Sequence, residues 1–291
     1  MLGHVNGRWE AVPIGEVQHM DVQQWVFDMT NSGTGPDSVR GAFRTLHEIV
    51  KLAIRARKLS LDPCDGVQLP RVERREMLFL EPPQVNDLAE AIEISFPGFG
   101  WGLMVKFAAY SGLRAGELGG LQVRDLDLLH QRIRVHRARK ADGSDGNPKS
   151  GSTRWVDLPR QLCEEVTEYL STREFGPDSR VWTGERGGPL NHKWFYRNRF
   201  KPIVNKLTDQ GRLPSATGRR GEALSLRFHD LRHTCVAILI GKGAQQYEVM
   251  EDLGHTKIQT TIDTYGHIFP AVRQRIRAAL EDTWDEAAAT S

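Results

Sequence analysis

Apolar residues recur at intervals of three and four along much of this chain, the spacing that gives a helix one buried face. Val22, Trp25, Val26 and Met29 set such a face within residues 21–29. Val39, Phe43, Leu46, Ile49, Val50, Ala53 and Ile54 set a longer one, predicting a helix from about 37 to 58. On that helix Arg40, Arg44, Lys51 and Arg55 fall mainly opposite the apolar stripe. Arg57 and Lys58 would end it, where the helix dipole favours positive charge. Residues 1–13 have no clear period and read as an irregular lead-in, and 30–36, rich in Gly, Ser and Thr, read as a loop. The pattern predicts a small all-helical domain over residues 1–70, then a charged linker over 71–77.

A second unit is predicted over residues 78–270. Glu81-Pro82-Pro83 is a helix start, leading into a helix over 84–94. Residues 101–110 are apolar on all sides, as a buried helix is. Alternation over 132–136 and 154–158 predicts two strands, with a turn-rich stretch between them that carries Lys149. Helices are expected over 160–173 and 193–205, and a mobile, basic, glycine-rich loop over 209–222. An apolar run, 235–240, stops at Gly241 and Gly243. Short helices fit 247–253, stopped by Gly254, and 258–265. Residues 271–291 would form a last helix and an acidic tail. The predicted fold class is α+β: mainly α with a small β-sheet.

Composition changes little here. The 291 residues are 39% hydrophobic and 26% charged, with a net charge of +2, as in a soluble globular protein. The distribution of charge says more. Residues 130–154 hold seven Lys or Arg against two acids, and 193–233 hold ten against three. Basic stretches inside a near-neutral chain suit a directed nucleic-acid surface, although any one of them could be a solvated face. Cys64, Cys163 and Cys235 are widely separated and match no disulfide framework or zinc spacing, which suits a reducing cytosol. No run of 18 apolar residues and no signal-peptide core is present, so a cytoplasmic protein with no membrane role is expected.

The candidate chemistry gathers in 229–265. His229 and Arg232 lie three apart and share a helix face, and His255 and Tyr265 follow on elements that can converge with them. Arginine forks onto phosphate oxygens, histidine moves protons near neutral pH, and an activated tyrosine is a nucleophile. Together they describe attack on a phosphodiester, whereas each alone is more simply a surface or core residue. Upstream, Arg114 and Glu117 are again three apart, so the carboxylate can hold the guanidinium. His229 and His233 have the spacing of a helical zinc pair, but Asp230 stands where zinc peptidases have Glu, Arg232 adds a cation, and no third ligand follows. No metal is expected, and His233 reads as a packing residue.

With these residues in view, the sequence resembles the tyrosine recombinases, the phage-integrase family. Arg114 sits in Gly-Leu-Arg-Ala-Gly-Glu-Leu, similar to the family's first arginine box. Lys149 resembles its β-hairpin lysine; Lys140 lies on the same hairpin, but Lys149 fits the position better. His229 and Arg232 match its His-x-x-Arg box, His255 in Leu-Gly-His its second histidine, and Tyr265 its nucleophile. The resemblance covers residues 78–270 as catalytic domain, with residues 1–70 similar to the core DNA-binding domain. With the core DNA-binding domain expected at residues 1–70, no domain that grips arm-type sites is expected within these 291 residues, whether the protein is naturally short or has been trimmed.

The resemblance implies a site-specific recombinase that cleaves DNA through a 3′-phosphotyrosine. Arg114 and Arg232 would hold the phosphate, Lys149 protonate the leaving oxygen, and His229 and His255 manage the nucleophile's proton, with Glu117 orienting Arg114. Neither cofactor nor metal is implied. The implied partners are double-stranded DNA attachment sites, further copies in a homotetramer, and a host DNA-bending factor. Arg40 and Arg44 are candidate DNA contacts on the first domain. Rival readings are a chromosome-dimer resolvase or transposon integrase of the same family, or a DNA-binding regulator that no longer cuts.

Overall fold

The computed structural model describes residues 2–72, 77–140, 142–147, 153–218, 221 and 223–254. The chain divides into two compact units, Met1–Arg75 and Glu76–Ser291.

The first unit is helical: α1 Leu2–Trp9, α2 His19–Asn31 and α3 Pro36–Arg55, with a 3-10 turn at Ile14–Glu16. Pro36 opens α3, where its missing N–H costs no hydrogen bond and its fixed φ suits the helix. Val22, Trp25, Val26 and Met29 of α2 and Val39, Phe43, Leu46 and Val50 of α3 form one core. Ile49 of the predicted stripe is exposed instead. Residues 1–13 are not an irregular lead-in: α1 buries Val5 and Trp9 in the same core, and Trp9 meets Trp25 edge-on at 5.7 Å. Two anchors four residues apart were too few to read as a period. Helix α3 stops at Arg55, short of Lys58. Arg57 takes φ 56°, and the Lys58 N–H reaches back to the Ala53 carbonyl at 2.9 Å, satisfying orphan carbonyls of the last turn. Gln23 and the backbone of Gln68 exchange hydrogen bonds of 2.8 and 3.2 Å, securing the segment after α3.

The second unit is built around α5, Trp101–Ser111. Its Trp101, Met104, Val105 and Phe107 are fully buried, so it packs on several sides at once. Around it lie α4 Pro82–Ser95, α6 Ala115–Gly120, α7 Arg160–Ser171, α8 His192–Phe195, α9 Lys201–Asp209, α10 Asp230–Gly241 and α11 Gln246–Leu253. Strands β1 Leu126–Asp127, β2 Arg132–Val135 and β5 Arg154–Asp157 form an antiparallel sheet in the order β1-β2-β5. β3 Ala138–Arg139 pairs with β4 Asp145–Gly146, and β6 Ser215–Thr217 with β7 Ala223–Ser225. The predicted class, α+β with mainly helix, is the observed one.

Two expectations are corrected. The helix expected over 193–205 is broken by a π-helical turn, Tyr196–Phe200. Pro202 has no N–H for the Asn198 carbonyl, so the backbone widens there. The segment 209–222 contains strand β6, which pairs Ser215 with Ser225, with Leu213 and Leu224 buried nearby. The elements expected over 258–265 and 271–291 lie outside the described residues. Among the described residues, no helix is long and apolar enough to cross a membrane.

Candidate active site

Helix α5 ends at Gly112, which takes φ +61°. A Cβ there would come within 3.1 Å of Leu253 and 3.3 Å of the Cys235 sulfur, so glycine suits the position twice over. Two residues later Arg114 caps α6. Glu117 folds back on it: one carboxylate oxygen accepts from the Arg114 N–H at 2.9 Å, the other from Arg114 Nη1 at 3.1 Å. The Glu117 side chain is 1% exposed and that of Arg114 is 25% exposed, so the carboxylate is sealed in while the guanidinium keeps an open edge.

Glu117 has a second cation. Arg154, at the start of β5, forks onto both its oxygens, Nη1 at 3.1 Å and Nη2 at 3.0 Å. Burial pushes the Glu117 carboxyl up, but hydrogen bonds and charge from Arg154, then from Arg114, outweigh it and hold it below the usual range. The third donor of Arg154, Nε, reaches the Asp252 carbonyl at 3.0 Å, near the end of α11.

Arg232 lies on the first turn of α10 and is 3% exposed. Its Nη2 donates to the Leu253 carbonyl at 2.7 Å and its Nη1 to the Gly112 carbonyl. A closed circuit results. It runs from Gly112 through Leu113 and Arg114 to Glu117, on to Arg154, across the adjacent carbonyls of Asp252 and Leu253 to Arg232, and back to Gly112. Arg114 and Arg232, 118 positions apart in the chain, thus hold the same short loop from opposite ends.

His229 precedes α10. Part of it faces solvent, yet the protein packed around it withholds water, and this lowers its pKa. Arg232, then Arg227 and Arg114, push the same way, while Asp230 opposes them. These surroundings favour the neutral imidazole, which lies within the field of both circuit arginines. His233 meets it edge-on at 5.1 Å and is pushed down to about 4, first by burial and then by His229. Asp230, buried beneath, takes Arg227 Nη2 at 2.8 Å. Among the described residues, no three His, Cys, Asp or Glu gather as a metal-binding group.

Beside α6 lies a cleft of about 650 Å³ whose lining includes Arg139, Lys140, His192, Lys193 and Arg197 and, among the described residues, no acid. His192 packs edge-on against Phe228 at 4.6 Å, and burial lowers it to about 4. Basic side chains along an open cleft suit a polyanion.

The structure brings Arg114, Glu117, His229 and Arg232 together. Lys149, His255 and Tyr265 lie outside the described residues. In the first unit, Arg40 donates to the Pro70 carbonyl at 2.9 Å, whereas Arg44 is exposed. Sequence reasoning missed Arg154, which it read only as the start of a strand. Its partners are 37 and 98 positions away, beyond the reach of any periodicity. The signal available was an arginine on a strand next to the Lys149 turn.

The chain and its fold are similar to those of known proteins. By sequence, the chain is 25% identical over 288 residues to the ICEBs1 integrase of Bacillus subtilis (strain 168), covering 96% of this chain and 74% of that protein. It is 25% identical over 248 residues to the tyrosine recombinase XerC of Actinobacillus pleuropneumoniae serotype 7 (strain AP76), covering 84% and 72%. Its fold is that of the Tn1549 transposon integrase in complex with transposon right end DNA, with a TM-score of 0.74, 20% identity, and coverage of 97% of this chain and 90% of that one. A lambda integrase dimer bound to a core site is similar at a TM-score of 0.65 and 14% identity, with coverage of 90% and 84%. The model of the phage integrase family matches residues 79–271, more than half of the chain, and the chain belongs to that family, the tyrosine recombinases.

Proposed function

We propose that this chain is a site-specific recombinase that integrates or excises a DNA element through a 3′-phosphotyrosine intermediate. The observation that carries the reading is the circuit: two arginines anchored on one loop, with the His229 imidazole in their field. In this reading Arg114 and Arg232 bind the non-bridging oxygens of the scissile phosphate and stabilise the charge that grows on them. Each such donor, fixed before the reaction begins, is worth about 3 kcal/mol in the transition state. Neutral His229 can accept a proton or a hydrogen bond, and His255 shares this work. The Tyr265 oxygen attacks phosphorus, the 5′ oxygen leaves with a proton from Lys149, and the P–O bond is kept as a phosphotyrosine. A 5′-hydroxyl then attacks that ester, releases Tyr265 and restores the strand.

The partners in this reading are double-stranded DNA attachment sites, other copies of the chain in a homotetramer, and a host DNA-bending factor, all in the bacterial cytoplasm. The basic cleft beside α6, and Arg44 on the first unit, would meet the DNA backbone, giving salt-dependent affinity. Similarity to XerC supports a second reading, chromosome-dimer resolution, in which the same site acts on a different DNA.

The test is a duplex nicked near the cleavage position, so that covalent adduct accumulates. Wild type should form a protein–DNA adduct and Tyr265→Phe none. Equal adduct from both would remove Tyr265 from the mechanism. Sequencing the junctions formed in a host genome separates the two readings.

A further inference from the structure

We propose that Arg154 is a positioning residue for strand cleavage, one that sets Arg114 on one side and the end of α11 on the other. The inference rests on the site reading given above. The Arg154 side chain is 8% exposed, and the role proposed for it runs through its neighbours. All three of its nitrogens are engaged: two on the Glu117 carboxylate and one on the Asp252 carbonyl. A guanidinium is planar and its donors are fixed, so these three bonds hold Glu117 and residue 252 in one relative geometry. Glu117 Oε1 is shared, taking Arg154 Nη1 and Arg114 Nη1, each at 3.1 Å. The direction of the Arg114 head therefore follows from where Arg154 puts the carboxylate.

The other end of the tie is equally specific. Asp252 and Leu253 offer adjacent carbonyls at the end of α11, where the last turn leaves acceptors unpaired and the helix dipole is negative. Arg154 takes one and Arg232 the other. Gly254 follows with φ +63°, and a Cβ there would stand 2.8 Å from Arg154 Cδ, so this glycine both ends the helix and makes room for the arginine. His255 is the next residue in the chain, and Lys149 lies five residues before Arg154 in sequence. One buried side chain thus links the first arginine box to the end of α11, from which the chain runs on to His255.

The experiment measures single-turnover adduct formation by the full chain. The probe is a nicked duplex carrying the core sequence recovered from the element's junctions. It is made in two forms, one with a normal scissile phosphate and one with a methylphosphonate, in which a methyl replaces a charged oxygen. Neutralising that oxygen removes much of the charge that a well-placed Arg114 stabilises. Arg154→Met should cleave the phosphate about 100-fold more slowly, the penalty a 1 Å misplacement can bring. Arg154→Lys keeps a cation beside Glu117, protects the fold, and should be about 10-fold slower. Both variants should lose less than about 3-fold on the methylphosphonate, and their DNA affinity should stay within about 3-fold of wild type. Equal losses on both probes would assign Arg154 a merely structural role, and unchanged phosphate cleavage by Arg154→Lys and Arg154→Met would remove it altogether; either result overturns the proposal. Failure of wild type to form a Tyr265-dependent adduct would overturn the site reading itself, and this inference with it.

Discussion

The two units use charge in opposite ways. Among the described residues of the first, every buried side chain in the core is uncharged, and cations such as Arg44 stay at the surface. The second buries Glu117, Asp125, Asp230, Arg232 and His233. A buried charge costs several kcal/mol of desolvation unless partners replace its water. The second unit meets that cost by pairing: Glu117 with two arginines, Arg232 with two carbonyls, Asp230 with Arg227. In the proposed reading, what it gains is a set of donors fixed before substrate arrives, a fixity that the first unit does not need in order to hold a DNA backbone.

The largest effect should come from breaking the pairing. Glu117→Ala leaves two guanidiniums facing a void where their shared carboxylate stood. A loss of about 3–5 kcal/mol is expected in denaturant unfolding of the second unit, together with loss of adduct formation. Glu117→Gln, which keeps the shape and part of the hydrogen bonding, should cost less stability while still slowing cleavage strongly. A near-neutral Glu117→Ala would mean that the buried circuit is not what holds the site.

The corresponding change in the first unit is apolar. Leu46 is 2% exposed in the α2–α3 core. Leu46→Ala should cost about 2–4 kcal/mol, from lost transfer energy and the cavity left behind. Because the first unit holds DNA and does no chemistry in this reading, the variant should bind DNA more weakly. Its adduct formation at saturating DNA should be near wild type. A cleavage rate that fell along with affinity would break the contrast between the units.

The same contrast explains what was legible in the sequence. Apolar stripes announced α2, α3 and the all-round burial of α5, because helical packing repeats locally. Helix α1, with two core anchors, and β6, three residues long, are too short to carry a period. The π-helical turn before Pro202 follows from one absent N–H, a signal that a search for periodicity passes over. In the site, Arg114, Glu117, His229 and Arg232 were legible because each pair is local, three residues apart, within a recognisable motif. Arg154 was not: its role depends on bonds to Glu117 and Asp252, which only the folded chain brings near it.

Surface charge in the first unit should give a smaller and different kind of effect. Arg44→Ala should weaken DNA binding and reduce the slope of log affinity against log salt by about 1, the signature of one lost phosphate contact. Arg40 already donates to the Pro70 carbonyl, so Arg40→Ala should loosen the segment after α3 and leave that slope nearly unchanged. Binding titrations over a range of salt concentrations separate the two, and equal slopes for both variants would contradict the assignment.

The smallest expected effect is on stability against pH, and its sign follows from the buried groups. His192 and His233 are lowered to about 4 by burial. In the unfolded chain they take up protons as pH falls through about 6.5. Between these values the unfolded state binds more protons, so the second unit loses stability as pH falls. Asp252 works against this. Burial raises it to about 6, so below that pH the folded state holds a proton that the unfolded chain releases down to about 3.9. Two imidazoles outweigh one carboxyl, and a net decline from pH 7 to 5 is expected. Asp252→Asn removes the opposing group and should steepen it. The groups that carry this pH dependence all lie in the second unit, so the first should decline less. Hydrogen exchange read separately over α2–α3 and α5–α10 makes the comparison within one molecule. If the two regions lose protection in parallel, the buried imidazoles are not what couples the second unit to pH.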